Sequence, residues 1–274
     1  MRGKFYKIFK EEKVIIGAIH FPPLLGYPEF PGFEITLENA LKDLKAFEDG
    51  GVDGVIIENN YDIPHKIEVN PKTVEAMLFL GKKIKKQTKL PIGVNVLWND
   101  FRASLFIGKK IGARFIRIPV FVDKVKTDYG NIAGNPAEVL RYQKEIKAEN
   151  TALFTDIQVK HAELLDKRPI EESAKEAVNF GSDALIITGK WTGQAPDFGD
   201  LAAVRKAIGK FPILVGSGAE KKNINRLLKY ADGVIVSTSL KEGGAEEGEV
   251  NVKTWRQRID KKKVKELVEA VKVR

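Results

Sequence analysis

Residues 212–218 read PILVGSG, and residues 233–239 read GVIVSTS. Each stretch is a short aliphatic run, typical of a buried parallel strand, that passes directly into small residues. The residues between them have the spacing of a helix, so the two runs predict consecutive strands joined by a helical crossover. The two small-residue turns should then lie next to each other at one edge of a parallel sheet.

The same alternation continues along the whole chain. Strands are predicted at 14–20, 54–60, 91–98, 115–119, 152–160, 184–189, 212–218 and 233–240. Helices are predicted at 37–49, 71–87, 101–111, 137–147, 170–179, 200–208, 222–229 and 264–272. Eight such pairs in 274 residues predict one α/β domain, a (β/α)8 TIM barrel over residues 1–274, rather than an open doubly wound sheet.

The composition favours a soluble protein of the cytoplasm. Hydrophobic residues make up 43% of the chain, which is enough for one large core, and no linker-like stretch divides it. Cysteine is absent, which excludes disulfides, thiolate metal sites and cysteine nucleophiles. No signal peptide is evident, and the apolar run 14–19 is far too short to cross a bilayer, so no transmembrane segment is expected.

The formal net charge of +9 is explained by lysines on helices. In stretches such as 81–86 and 261–266 the lysines alternate with apolar residues at helical spacing, which is typical of solvated helix faces. Abundant Lys and Glu also resemble the surface of a thermophile's protein. Neither aromatic interleaving nor a known motif indicates nucleic acid, so no such partner is expected. A homo-oligomer is compatible with the sequence.

The turns after the seventh and eighth strands predict a phosphate site. In barrels of this class these two loops often bind phosphate together with the N-terminus of a helix. Glycine lets backbone N–H groups approach an anion, and hydroxyl groups add hydrogen bonds. The predicted contacts are Gly216, Ser217 and Gly218 in the first turn and Ser237, Thr238 and Ser239 in the second. A purely structural pair of tight turns is the alternative.

Polar residues within the strands predict a charged barrel interior. Side chains alternate between the two faces of a strand, and the apolar set should face the helices. The inward-facing set is then Glu58, Asn95, Arg117, Asp156, Gln158 and Lys160. Four residues of extended strand span roughly 13 Å, so Asp156 should pair with Arg117 while Lys160 reaches the barrel mouth. Buried charges need partners, which makes a structural ion-pair network the alternative to a catalytic site.

The histidines all follow predicted strand ends, and they are His20, His65 and His161. Of these, His20 and His161 are candidate acids or bases near neutral pH. Lys160 could neutralise a phosphate, stabilise an enolate or form a Schiff base. A metal held by some of Glu58, Asp156, His20 and His161 is an alternative. No ligand spacing supports it, so neither a metal nor another cofactor is expected.

Two loops could close over this face of the barrel. Thr188 ends the sixth predicted strand, and the glycine-rich loop after it contains Gly189, Trp191, Thr192 and Gly193. Glycine-rich loops with an exposed aromatic residue can act as lids. The longer loop at 121–135 could act in the same way. A surface loop without a function is the alternative for both.

Long motifs occur in order along nearly the whole chain. They are IGAIHFPP at 16–23, GGVDGVIIEN at 50–59 followed by Asp62 and Pro64, DIQVKHA at 156–162, TGKWTG at 188–193, GSG at 216–218 and ADGVIVSTSLK at 231–241. In these motifs the sequence resembles the BtpA family, a group of barrel proteins related to the ribulose-phosphate-binding barrels. Ser237 departs from the family's pattern, which usually has Gly at this position.

The resemblance implies a (β/α)8 barrel and a phosphosugar-like ligand. The family's namesake is needed for photosystem I accumulation and is associated with thylakoid membranes, and other members are linked to sugar-related gene clusters or nucleotide metabolism.

Two functions are therefore expected. The first is an enzyme for a small phosphorylated sugar or nucleotide-like compound, with isomerase, lyase or glycosyl-transfer chemistry. In it Glu58, Asp156 or a histidine would move protons, while Arg117 and Lys160 would stabilise negative charge. The alternative is a non-catalytic assembly or stability factor at a membrane surface.

Overall fold

The computed structural model describes residues 3–243 and 253–272. Eight parallel strands form a closed barrel, and we number them β1 to β8 in chain order. They are β1 Val14–His20, β2 Gly54–Glu58, β3 Ile92–Asn95, β4 Phe115–Ile118, β5 Ala152–Asp156, β6 Ala184–Ile187, β7 Ile213–Val215 and β8 Gly233–Val236. Each strand pairs with its neighbours in the chain, and β8 pairs with β1. The predicted (β/α)8 barrel is confirmed.

Helices cover the outside of this barrel. They are α1 Lys4–Ile8, α2 Phe33–Gly50, α3 Pro71–Lys85, α4 Phe101–Ile111, α5 Pro136–Glu145, α6 Ile170–Asn179, α7 Phe198–Ile208, α8 Ile224–Leu227 and α9 Lys261–Lys272, with a 3-10 helix at Thr238–Leu240. Local sequence explains several of their ends. The Asp100 carboxylate accepts the Ala103 N–H at the start of α4, and Gly112 ends that helix with a φ of 71°. The prediction of a helix over 222–229 was too long, because α8 has only four residues.

Helix α1 was not predicted, and it closes the N-terminal end of the barrel. Its five residues are too few to show a helical period. Phe5 and Phe9 are buried there, with ring centroids 5.7 Å and 6.4 Å from that of Phe154, which stacks on Phe115 at 4.5 Å. Gly93 makes room for this cluster, since a Cβ atom there would lie 2.1 Å from the Phe115 ring. The half of the barrel interior near the N-terminal ends of the strands is therefore apolar. The polar residues lie in the half near the C-terminal ends, called the upper half below.

The predicted irregular loop at 121–135 is instead part of a small antiparallel sheet. Lys124–Thr127 pairs with Gly130–Ala133 as a hairpin, and Glu163–Leu164 adds a third strand. Val125 and Ile132 bury their side chains in an apolar cluster with Trp98. This hairpin stands beside the mouth of the barrel, and its action as a lid stays a prediction.

The prediction of an extended strand over 152–160 was also wrong. Strand β5 ends at Asp156, and Gln158 has a φ of 45°. The Gln158 N–H donates to the Asp123 carboxylate at 2.7 Å, and its side-chain amide donates to the carbonyl oxygen of Arg168 at 3.0 Å. Gln158 therefore does not point into the barrel. Strand alternation failed here because it applies only while the backbone stays extended.

The lysine-rich helices carry their charges on the outside. In α9, for example, the Lys261 ammonium lies 3.0 Å from the Asp49 carboxylate of α2, and both side chains are solvent-accessible. Within the described ranges, none of the helices combines the length and apolar character that a membrane span requires.

Candidate functional site

A cavity of about 520 Å³ opens at the C-terminal ends of the strands. Nearly all of the predicted site residues contribute to its walls, and those that do not are Asp156, Thr188 and Gly189. In (β/α)8 enzymes this end of the barrel carries the active site. The structure thus collects side chains from separate parts of the sequence around one space of a size that suits a small-molecule ligand.

The bottom of the cavity is a charged network, here called the floor network, of Glu58, Asn95, Arg117 and Asp156. Arg117 donates to both carboxylate oxygens of Asp156, each at 2.8 Å, as the sequence predicted. Its third contact is to Glu58, at 3.4 Å, and the Asn95 side chain donates to the same Glu58 oxygen at 3.1 Å. All four side chains are buried, and Asp156 lies beneath the cavity wall as the support for Arg117.

The two carboxylates of the floor network differ electrostatically. Burial raises the pKa of Asp156, and the charge of Arg117 counteracts this effect. Burial alone would also raise the pKa of Glu58. A hydrogen bond with His20, whose Nε2 lies 3.5 Å from a Glu58 oxygen, and the charge of Arg117 outweigh that effect and hold the pKa of Glu58 at about 2. Glu58 is therefore an anion at neutral pH and a weak proton acceptor.

Lys160 lies above this network. Since β5 ends at Asp156, the chain turns inward, and burial together with the charge of Arg117 lowers the pKa of Lys160 to about 8. Glu58 and Asp156 oppose this shift, so the ammonium is close enough to feel all three floor charges. Lys160 lines the cavity whereas Asp156 lies beneath it, and no direct ion pair joins the two among the described residues. The Lys160 ammonium donates to the Thr192 hydroxyl at 3.3 Å.

The histidines of the site are uncharged at neutral pH. Burial lowers the pKa of His20, although Glu58 acts against this. Burial and the nearby Lys160 lower the pKa of His161 to about 4, and its Nε2 lies 2.8 Å from the Thr192 hydroxyl. His65, which follows β2, has a pKa lowered to about 4 by burial, and it lines the cavity as well.

The turns after β7 and β8, here called the β7 turn (216–218) and the β8 turn (237–239), form one wall. The Ser237 hydroxyl is buried there without a hydrogen-bond partner among the described residues. The Gly218 N–H, in a residue with a φ of 65°, likewise has no acceptor within the described part of the chain. Thr238 also lines the cavity.

The two turns differ from the predicted arrangement in three details, although Ser217 and Ser239 both line the cavity. The Ser217 hydroxyl accepts the Gly189 N–H at 2.9 Å and donates to the Gln194 carbonyl at 2.8 Å, so it is already engaged. Ser239 is exposed, and its hydroxyl donates to the Ala219 carbonyl at 2.7 Å. Helix α8 begins only at Ile224 and has a single turn, so its N-terminus does not follow directly on the β7 turn.

The glycine-rich loop after β6 divides into a fixed and an open part. Thr188 accepts the Lys160 N–H at 2.9 Å, and Gly189 is packed so closely that a Cβ atom would lie 2.3 Å from the Gln194 carbonyl oxygen. Neither residue lines the cavity, in contrast to the rest of the predicted lid loop. Trp191, Thr192 and Gly193 do line the cavity, and Trp191 is 53% exposed.

Several cavity residues were not among the candidates from sequence. They include the rings of His65, Trp98 and Tyr129, the ammonium group of Lys253, and the carboxylates of Asp128 and Glu220. Trp98 follows β3 closely, so its position after a strand end was a usable signal. Tyr129 belongs to the hairpin beside the mouth, whose position depends on tertiary packing. Among residues 3–243 and 253–272, no group of three or more acidic or histidine side chains is arranged to hold a metal ion.

Lys160 makes the stability of the fold depend on pH. Its pKa of about 8 in the folded protein is below the ordinary value of 10.5, so between these pH values the unfolded chain binds more protons. Stability from this group therefore rises as pH increases from 8 to 10.5. Relative to Lys160→Met, wild type should gain about 3 kcal/mol across this window in urea unfolding. Lys222→Met, at an exposed position, is the control and should show the same pH dependence as wild type. If the stability of wild type and of Lys160→Met changed in parallel with pH, the lowered pKa of Lys160 would be contradicted.

The fold and the position of the cavity define a (β/α)8 barrel protein with its site at the C-terminal mouth. The model of the BtpA family matches residues 11–273, and the chain belongs to this family. It is 36% identical to the photosystem I biogenesis protein BtpA of Synechocystis, over 87% of this chain and 84% of that protein. A protein of Archaeoglobus fulgidus is 38% identical, over 87% of this chain and 95% of its own.

Solved structures with similar folds are barrels as well. One is (S)-3-O-geranylgeranylglyceryl phosphate synthase from Thermoplasma acidophilum in complex with sn-glycerol-1-phosphate, with a TM-score of 0.60 and 17% identity over 98% and 97% of the two chains. Another is N-(5'-phosphoribosyl)anthranilate isomerase from Pyrococcus furiosus, with a TM-score of 0.56 and 15% identity over 96% and 100%. At these identities the similarity concerns the fold.

Proposed function

We propose that this protein is an enzyme that acts on a small phosphorylated compound and holds the phosphate between the β7 and β8 turns. The observation that carries the proposal is the buried Ser237 hydroxyl, which lines this cavity and has no hydrogen-bond partner among the described residues. Buried polar groups are normally satisfied, so this hydroxyl indicates a ligand that accepts a hydrogen bond. The half-buried N–H of Gly218 lies on the same wall and is a second donor available to that ligand. The similar synthase fold with bound glycerol phosphate supports this at the level of the barrel.

The charges around the proposed phosphate define the chemistry, and one of them is close to the β7 turn, since a Cβ atom on Gly216 would lie 3.5 Å from an Arg117 guanidinium nitrogen. Arg117 is locked by Asp156 and cannot move far, so it provides a fixed positive charge at the cavity floor. Such a preorganised charge stabilises negative charge that develops in a transition state. Glu58 is too weak a base for efficient proton transfer at neutral pH, and it serves instead to orient His20 and Arg117.

We assign the proton transfer to Lys160. A pKa of about 8 leaves both the ammonium and the free amine populated near neutral pH, so the group can give and take protons. The proposed reaction is an isomerase, lyase or glycosyl-transfer step in which charge develops between Lys160 and Arg117. The Schiff base is a further route open to the free amine.

The test is a thermal-shift screen of phosphorylated sugars and nucleotides, followed by titration of the best compound. Ser237→Ala should weaken its binding about tenfold, as expected for the loss of a hydrogen bond to a charged group. Ser182→Ala is the matched control, because that serine is also buried, donates to the Ala184 carbonyl and does not line the cavity. Absence of any stabilising phosphorylated compound, or equal effects of the two variants, would contradict the proposal.

A second candidate is an assembly factor, which is favoured by the similarity to the photosystem I biogenesis protein of Synechocystis. This function does not require a phosphorylated ligand or an ionised Lys160. The test is complementation of a photosynthetic bacterium from which its own relative of this protein has been deleted. If wild type, Lys160→Met and Ser237→Ala all restore photosystem I accumulation equally well, the assembly function is favoured over the enzyme.

A further inference from the structure

We propose that the ligand of this cavity is a hydroxylated phosphate ester whose other end carries a planar aromatic or heteroaromatic ring. This inference rests on the proposed function, and it adds the part of the ligand that lies away from the phosphate. It follows from three features of the cavity: the positions of its walls around the barrel, the aromatic side chains of one wall, and two buried polar atoms without partners.

The barrel topology separates the two ends of the cavity. In the closed order of strands, β3 and β4 lie across the barrel from β7 and β8. The β7 turn and the β8 turn follow two neighbouring strands. Trp98 follows β3 instead, and Tyr129 lies in the hairpin after β4. A ligand whose phosphate is held by the β7 and β8 turns must therefore cross the floor network to reach the wall that contains Trp98 and Tyr129.

That opposite wall is aromatic. Tyr129 contacts His65 edge to face, with ring centroids 5.2 Å apart, and Trp98 lies beside them in the same cavity. At the rim, the rings of His161 and Trp191 are 5.3 Å apart. An exposed tryptophan above a cavity is a surface on which a planar ring can stack. A phosphorylated compound without a ring would leave this apolar wall in contact with water.

Two buried atoms indicate where the ligand makes hydrogen bonds. Asn95 uses its amide N–H for Glu58, and its Oδ1 is buried without a partner among the described residues. Asn95 belongs to the floor network, between the two ends of the cavity. A hydroxyl group in the middle of the ligand could therefore donate a hydrogen bond to its Oδ1. Nδ1 of His65 is likewise buried without a described partner, on the aromatic wall. A heteroaromatic ring with a polar edge would satisfy it.

The volume agrees with this ligand. A cavity of about 520 Å³ falls in the range of roughly 300–1,000 Å³ that encloses ligands of drug size. A three-carbon phosphate ester would fill only the part of the cavity between Lys160 and the β7 and β8 turns. A phosphate, a sugar and a ring in sequence would extend from Ser237 past Asn95 to Tyr129.

The experiment measures binding by calorimetry for four kinds of probe: inorganic phosphate, ribose 5-phosphate, the 5'-monophosphates of adenosine and uridine, and adenosine itself. The ring should improve binding about tenfold, so at least one monophosphate should bind that much more tightly than ribose 5-phosphate. Tyr129→Leu and Trp191→Leu should remove this advantage and leave ribose 5-phosphate unaffected. Phe180→Leu, at a residue that is 44% exposed and does not line the cavity, should change neither.

The outcomes separate the two proposals. Equal binding of ribose 5-phosphate and both monophosphates would overturn the ring and leave the phosphate site standing. Equal loss of all probes in Tyr129→Leu and Trp191→Leu would also overturn the ring, because it would indicate general damage to the cavity. Binding of adenosine that phosphate does not improve would instead overturn the proposed function. If no probe binds, both proposals fail.

Discussion

Replacement of Arg117 by alanine is expected to lower the free energy of unfolding by about 3–5 kcal/mol, the usual cost of breaking a buried ion pair from one side. The guanidinium of Arg117 is the partner of both oxygens of Asp156 and a contact of Glu58, and all three side chains are buried. Without it, two carboxylates remain in the barrel interior, and Asp156 loses its ion-pair partner. Urea unfolding at neutral pH measures the loss.

A surface arginine is the matched control. Arg141 pairs with Glu138 at 3.6 Å, and its side chain is 68% exposed, so Arg141→Ala should cost less than about 1 kcal/mol. The loss in Arg117→Ala should also shrink as the pH falls. The unpaired Asp156 will have a pKa above that of the unfolded chain, and such a carboxyl favours the folded state at low pH. Equal losses for the two arginine variants would refute the role of the floor network in stability.

The second large effect is expected from Gly218→Ala, which should reduce binding of the best phosphorylated compound about a hundredfold. Gly218 has a φ of 65°, and a Cβ atom there would lie 2.1 Å from the backbone nitrogen of Ala195. The β7 turn must therefore move away from the loop after β6, and the Gly218 N–H moves with it. Loss of the hydrogen bond from this N–H to a charged group, at about 3 kcal/mol, corresponds to this change in affinity.

Gly112→Ala separates backbone strain from the loss of the site. Gly112 has a similar φ of 71°, and a Cβ atom there would have no neighbour within 4 Å. It ends helix α4 on the outside of the barrel, so its replacement should cost about 1 kcal/mol of stability and leave binding unchanged. Comparable loss of binding in both glycine variants would show that the β7 turn holds no phosphate.

The floor network could be predicted in most of its parts. Glu58, Asn95 and Arg117 lie on strands that remain extended through the relevant residue, so alternation placed them correctly inside the barrel. The pairing of Arg117 with Asp156 followed because the two residues lie on neighbouring strands. A buried charge requires an opposite charge nearby, and this requirement limited the choice of partner.

The candidate site was predicted less well where backbone conformation decides. Gln158 and His161 have positive φ angles, so the chain after β5 leaves the extended path, and side-chain alternation gives the wrong direction for Gln158. Ser217 was assigned to the ligand from its residue type. Its hydroxyl is in fact used by Gly189 and Gln194, which belong to another loop. The residue types alone do not show that groups of another loop already use this hydroxyl.

The amino-acid sequence by itself determined the (β/α)8 barrel, the polar upper half of its interior and the mouth at which the site lies. These depend on periodicity and on hydrophobic burial, which are properties of short segments. Only the tertiary structure decided that α1 closes the bottom, that Tyr129 and His65 form an aromatic wall, and that Ser237 rather than Ser217 is the unsatisfied hydroxyl. The physical reason is that these features depend on contacts between distant segments, which form only when the whole chain packs.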